Sequence, residues 1–166
     1  MKPTDWHYPE GQPIFAEPGE FDAWISGSGG QVRSAAVWLI RSKSDAPEKF
    51  EPVRKSEGKS SAQRATLGSL AGVLESVQPK STINCYTNST YAIGAGQNAE
   101  AQAARGWEGS KGPLANQDIL KRIHHVLTSR QITLRMQLID DGVEPHHSTI
   151  ARLTLRARGA WRQDEA

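Results

Sequence analysis

The stretch Thr82-Ile83-Asn84-Cys85-Tyr86-Thr87-Asn88-Ser89-Thr90-Tyr91-Ala92-Ile93 changes its chemistry halfway along. Thr82 to Tyr86 carries β-branched and aromatic residues, as a short strand does. Thr87-Asn88-Ser89 then offers side chains able to cap a helix, which runs through Tyr91 and Ile93 until Gly94 and Gly96 break it. Strand, polar turn and helix in immediate succession form the joint of an α/β domain.

Upstream, Ser60 or Ser61 is the N-cap of an amphipathic helix whose stripe is Leu67, Leu70, Ala71, Leu74 and Val77, ended by Pro79. Before it lie three strand-like runs. They are Phe21 to Ser26, Gln31 to Ile40 with its alternating Val37, Trp38, Leu39 and Ile40, and a weaker run from Lys49 to Lys55. Gly27-Ser28-Gly29-Gly30 reads as the turn of a hairpin, so an antiparallel meander is expected. Pro52 deletes one ladder donor, which places the third strand at an edge or at a bulge.

Downstream, Asn98 to Arg105 is alanine-rich and helical in composition, and Gly106 to Ala115 is a loop. Asn116 caps a further helix with Ile119, Leu120, Ile123, Val126 and Leu127 inward. The period then switches to two at Ile132, Leu134, Met136 and Leu138, a strand. A loop from Asp140 to His147 precedes a last helix with Ile150, Leu153 and Ala157 inward. The order is βββ-α-β-α-α-α-β-α, a mixed α/β (α+β) domain over residues 21–158, between a leader (1–20) and a tail (159–166).

Composition narrows the function. The 166 residues include 20 Lys and Arg against 18 Asp and Glu, a formal net charge of +2, so neither a basic arm nor an acidic tail dominates. The leader is proline-rich and acidic (Asp5, Glu10, Glu17, Glu20), whereas Arg152, Arg156, Arg158 and Arg162 concentrate near the other end. Mean hydropathy is −0.57, and no apolar run approaches the roughly 20 residues that cross a bilayer. With no signal-peptide core at its start, a soluble, cytoplasmic protein without a membrane partner is expected. A single cysteine, Cys85, excludes an internal disulfide and a cysteine-based zinc cluster.

Several strings in this order resemble the ribonuclease H family of the type 1 kind. Arg105-Gly106-Trp107 with Pro113, Asn116 and Asp118 looks like its R-G-W segment and P-x-x-N-x-D helix start. Tyr86-Thr87-Asn88-Ser89-Thr90-Tyr91 looks like its S-T-D-S-x-Y strand end, Ile25-Ser26-Gly27-Ser28 like its T-D-G-S hairpin, and Ser61 to Leu70 like its T-N-N-R-M-E-L helix. The resemblance implies a mixed five-stranded sheet and a site where four carboxylates hold two divalent cations at the scissile phosphate of an RNA strand in an RNA/DNA hybrid. Laid on this chain, the four positions fall on Ser26, Thr66, Asn88 and Ala151, none of them acidic. The family's mobile histidine falls near Asp141, beside His146 and His147.

A catalytically silent domain that binds hybrid or duplex nucleic acid is therefore the leading expectation, with no cofactor and with magnesium relevant only to residual nuclease activity. Ser61, Gln63 and Arg64 supply hydroxyl, amide and guanidinium groups suited to phosphate and sugar, or else cap and solvate a helix start. Asn88 either contacts the strand or caps the next helix. Arg105, Trp107 and Lys111 pair positive charge with a stackable ring, and Asn116 joins them through the matched motif, although a tryptophan also suits a core. Two rivals stand beside this reading: a protein-interaction module using the leader or the arginine-rich last helix, and an active nuclease whose ligands have moved to Asp22, Asp140 or Asp141.

Overall fold

The computed structural model describes residues 13, 15–28, 33–42, 49–57 and 62–139. Strands β1 (Glu20–Ser28), β2 (Arg33–Ser42) and β3 (Lys49–Glu57) are followed by helix α1 (Ala62–Glu75) and strand β4 (Thr82–Thr87). Then come α2 (Thr90–Gln97), α3 (Ala99–Ala104), the two-residue strands β5 (Glu108–Gly109) and β6 (Gly112–Pro113), α4 (Gln117–Ser129) and β7 (Thr133–Leu138). The main sheet is five-stranded in the order β3-β2-β1-β4-β7. Its first three strands are antiparallel, while β4 lies parallel to both β1 and β7. The meander and the mixed sheet expected from the sequence are present, as is the expected element order from β1 through β7 apart from the two-residue β5 and β6. The last helix, the tail, Ser61 and Ala151 lie outside the described residues.

Alternation sorts the sheet into two faces. Phe21, Ala23 and Ile25 of β1, Trp38 and Ile40 of β2, and Ile83 and Cys85 of β4 are buried together beneath the helices. The opposite face carries Trp24 and Tyr86, stacked at a centroid distance of 5.4 Å. Complete burial pushes the Cys85 thiol up to about 12, which makes it an inert core residue.

The helix α1 is more enclosed than an amphipathic stripe requires. Every residue from Ala65 to Glu75 is buried, because β1 and β2 cover one side and α4 another. Ala65, Gly68, Ser69 and Gly72 outside the stripe are small, and Gly72 is decisive: a Cβ there would lie 2.6 Å from the Trp38 ring. The buried hydroxyl of Ser76 donates back to the Gly72 carbonyl at 2.7 Å, so it is not left unsatisfied. Leu67, Leu70 and Leu74 are fully buried and each contributes about 2 kcal/mol.

Several local expectations are corrected. Gly94 and Gly96 do not end α2, which continues to Gln97; a Cβ on Gly96 would meet Met136 Cγ at 2.8 Å, so this glycine admits β7. Gly27 and Ser28 belong to β1 rather than to the turn. Leu138 is 58% exposed, because β7 is an edge strand and its last residue passes the helical cover. The Gly106–Ala115 loop contains the β5–β6 ladder. The Pro52 expectation, by contrast, holds: β3 lies at the sheet edge, and its register against β2 shifts between Ala36 and Trp38, opposite the proline. The last leader residues are docked: Phe15 is buried 4.5 Å from the Phe21 ring, and Thr82 donates to the Gly19 carbonyl at 2.9 Å.

Candidate functional site

Parallel pairing of β1 with β4 fixes the site. Asp22 is level with Asn84 and Trp24 with Tyr86, and carrying that register two residues further sets Ser26 level with Asn88 just beyond the strand. The helix α1 closes on the same end of these strands. A Cβ on Gly27 would lie 2.4 Å from the Thr66 amide nitrogen and 2.7 Å from Thr66 Oγ1, so only glycine lets the helix seat there. Ser69 Oγ donates to the Ser26 carbonyl at 2.7 Å and fixes that seat. Ser26, Thr66 and Asn88 thus gather toward the carboxyl ends of the central strands β1 and β4.

Their side chains are in different states. Thr66 is buried, and its hydroxyl donates to the Ala62 carbonyl at 2.8 Å. Ser26 is half-buried and Asn88 is exposed. Asn88 does not cap α2: that task falls to Ser89, whose Oγ accepts from the Ala92 amide at 3.1 Å, while Thr87 Oγ1 accepts from the Ser89 amide at 3.1 Å. Asp22, weighed as a displaced ligand, sits four residues before Ser26, about 13 Å back along the strand. There it accepts from Asn84 Nδ2 at 3.4 Å. Asp140, Asp141, His146 and His147 lie outside the described residues.

A second cluster joins three helices. The Arg64 guanidinium makes a two-pronged contact with the Asp118 carboxylate (2.9 and 2.7 Å) and reaches Asn116 Oδ1 at 3.4 Å. Asn116 Nδ2 in turn donates to the Tyr91 hydroxyl at 3.2 Å. Arg64 holds the Asp118 carboxyl below its ordinary value, chiefly through this hydrogen bond. Asn116 occupies the N-cap position of α4 but is left-handed (φ 60°), and its side chain does not cap the helix. Gln63 is exposed beside Arg64. Sequence reasoning did not foresee Tyr91 or Asp118 as the anchors of Asn116 and Arg64, although both stand in the quoted motifs. Ser69 carried no sequence signal.

Arg105, Gly106 and Trp107 terminate α3. The Gly106 amide donates to the Ala103 carbonyl (3.0 Å) and the Trp107 amide to the Gln102 carbonyl (2.9 Å), the paired bonds of a glycine-closed helix end, with Gly106 at φ 67°. Arg105 is exposed, and so is Lys111 in the β5–β6 turn. Trp107 is half-buried, packs against the core and meets the His124 ring edge-on at 5.6 Å. Between this segment and α2 lies a cleft of about 390 Å³ lined by Tyr91, Ala95, Asn98, Gln102, Leu114 and Leu120.

The RNase H family model matches residues 23–139, from β1 through the residue after β7. The chain belongs to the RNase H family. Among solved structures, this RNase H chain is similar to the foamy viral protease-reverse transcriptase in complex with dsDNA, at 15% identity and TM-score 0.62, covering 88% of this chain and 97% of that one. It is also similar to LC9-RNase H1, described as a type 1 RNase H with the type 2 active-site motif, at 15% identity and TM-score 0.64, covering 88% and 75%. A third likeness is the PFV RNase H domain in solution, at 16% identity and TM-score 0.59, covering 85% and 94%. At these identities the structural likenesses establish the fold. No curated protein sequence matches the chain. Among the described residues, no helix is long and apolar enough to cross a membrane.

Proposed function

We propose that this RNase H-family domain binds nucleic-acid hybrid or duplex without two-metal hydrolysis. One observation carries the reading: Ser26, Thr66 and Asn88, the motif positions among the described residues, lie toward the carboxyl ends of the central strands β1 and β4 and none of the three is a carboxylate. The family's chemistry rests on two divalent cations, and such hard ions are held by anionic oxygens. A hydroxyl, an amide and a second hydroxyl already bonded to the Ala62 carbonyl do not fit a pair of them.

Binding is supported by exposed groups after β4, at the start of α1 and in the α3–β6 segment. Asn88, Gln63, Arg105 and Lys111 are exposed polar or basic side chains, the types that contact phosphate and sugar. Arg64 and Asn116 contribute differently from their sequence reading, since each is engaged with a protein partner and shapes the surface between α1 and α4. Ser61 and Trp107 complete the proposed binding set.

The test is a pair of assays on the full chain. Labelled RNA/DNA hybrid, duplex RNA and single strands are titrated at two salt concentrations, and the hybrid is incubated with magnesium and with manganese. Binding that weakens with salt, together with an intact hybrid, is expected. Cleavage in either metal, or no binding at low salt, overturns the proposal.

A further inference from the structure

Resting on the nucleic-acid-binding reading above, we infer that the carboxyl edge of β1 and β4 receives a backbone phosphate directly through Ser26 and Asn88, with binding independent of divalent cations. Three observations carry this. Asn88 is exposed and its amide carries two N–H donors and an oxygen, and that oxygen is not used to cap α2, since Ser89 does so. The Ser26 side chain is half-buried at the same level of the sheet, while its carbonyl is held by Ser69. Neither α1 nor α2 carries an acidic residue in its first turn, so neither helix start brings a carboxylate to the edge.

Electrostatics turns this neutrality into a property. Each carboxylate held about 4 Å from a phosphate weakens binding at least fivefold in a solvent-exposed setting, so two of them weaken it by about 25-fold or more. An acidic edge therefore needs cations between itself and the strand. Among the described residues the positions at this end of β1 and β4 bring no such repulsion, and hydroxyl and amide donors meet the phosphate oxygens themselves. Thr66 is not part of this contact, because its hydroxyl is turned to Ala62.

The experiment measures the affinity of the full chain for a labelled RNA/DNA hybrid in EDTA and in magnesium chloride at matched ionic strength. Wild type, Asn88→Asp and the Ser26→Asp/Asn88→Asp pair are compared. Wild-type affinity is expected to agree within about twofold between the two conditions, since only counterion effects remain. The double variant is expected to lose about 25-fold in EDTA and to recover in magnesium; Asn88→Asp, an exposed near-isosteric change, shows the same sign at about fivefold. Loss of wild-type binding on chelation overturns the inference. Equal binding by wild type and both variants in EDTA also overturns it, and leaves the binding reading intact by locating the contact elsewhere. Absence of binding in every condition instead overturns the function proposed above.

Discussion

The Ser69 hydroxyl donates to the Ser26 carbonyl oxygen at 2.7 Å, tying the middle of α1 to the end of β1 one residue before Gly27 passes beneath Thr66. Gly27→Ala forces a Cβ to within 2.4 Å of backbone, which no rotamer change relieves. That variant is expected to lose about 3 kcal/mol, the upper part of the overpacking range. Ser69→Ala removes one hydrogen bond and is expected to lose about 1 kcal/mol. Urea denaturation of the two variants beside wild type checks both values, and similar losses would show that the helix seat is not the rigid element described.

Glu75 and Arg122 bridge α1 and α4 by two contacts, of 3.0 and 2.5 Å, with the Glu75 side chain only 9% exposed. Arg122→Ala leaves that carboxylate buried beside a shortened partner and is expected to cost about 2 kcal/mol. Adding Glu75→Gln to Arg122→Ala removes the uncompensated charge and should recover part of the loss. A double-mutant cycle by thermal or urea melts measures the coupling; strictly additive losses would contradict it.

The Arg64–Asp118 pair gives a pH dependence of known sign. Arg64 depresses the folded-state value of Asp118 below the ordinary 3.8, so its contribution is present above that value and is lost as pH falls through the depressed one. Because the Asp118 side chain is 66% exposed, the contribution is small, under about 1 kcal/mol. The stability difference between wild type and Arg64→Ala is therefore expected at pH 7 and should shrink below about pH 4. Denaturation curves at several pH values follow it; a difference that grows on acidification would reverse the assignment.

Element types were legible because period and turn chemistry are local. The alternation of Trp38 and Ile40, the Leu67–Leu70–Leu74 spacing and the glycine after Arg105 each announce what the backbone does. What was not legible depends on partners far away in the chain. Gly96 looks like a helix breaker until Met136 stands against it. Asn116 looks like a side-chain cap until Arg64 and Tyr91 take both ends of its amide. Leu138 keeps the inward rhythm of its strand, yet the edge position of that strand leaves it exposed.

The site divides in the same way. The motif strings brought Ser26, Thr66 and Asn88 to attention, and the strand register and the Gly27–Thr66 approach gather them toward the carboxyl ends of β1 and β4. Their division of labour was not in the strings. Which of Asn88 and Ser89 caps α2, and that Thr66 turns its hydroxyl inward, are decided by backbone geometry that residue types leave open.

Arg105 and Lys111 are the exposed cations of the α3–β6 segment, whereas Trp107 between them packs on the core and on His124. Their variants should therefore differ in kind. Each phosphate contact on a duplex adds about 0.9 to the slope of log affinity against log salt, so Arg105→Ala/Lys111→Ala is expected to lower the slope by nearly two. The affinity loss should be similar for unrelated sequences, because phosphates carry no sequence information. Trp107→Ala is expected to lower stability by about 3 kcal/mol through lost packing and to leave the slope of the folded protein unchanged. Fluorescence anisotropy across a salt series, read beside urea melts, separates the two. A Trp107→Ala protein of wild-type stability with weakened binding would make the ring a stacking platform rather than a packing residue.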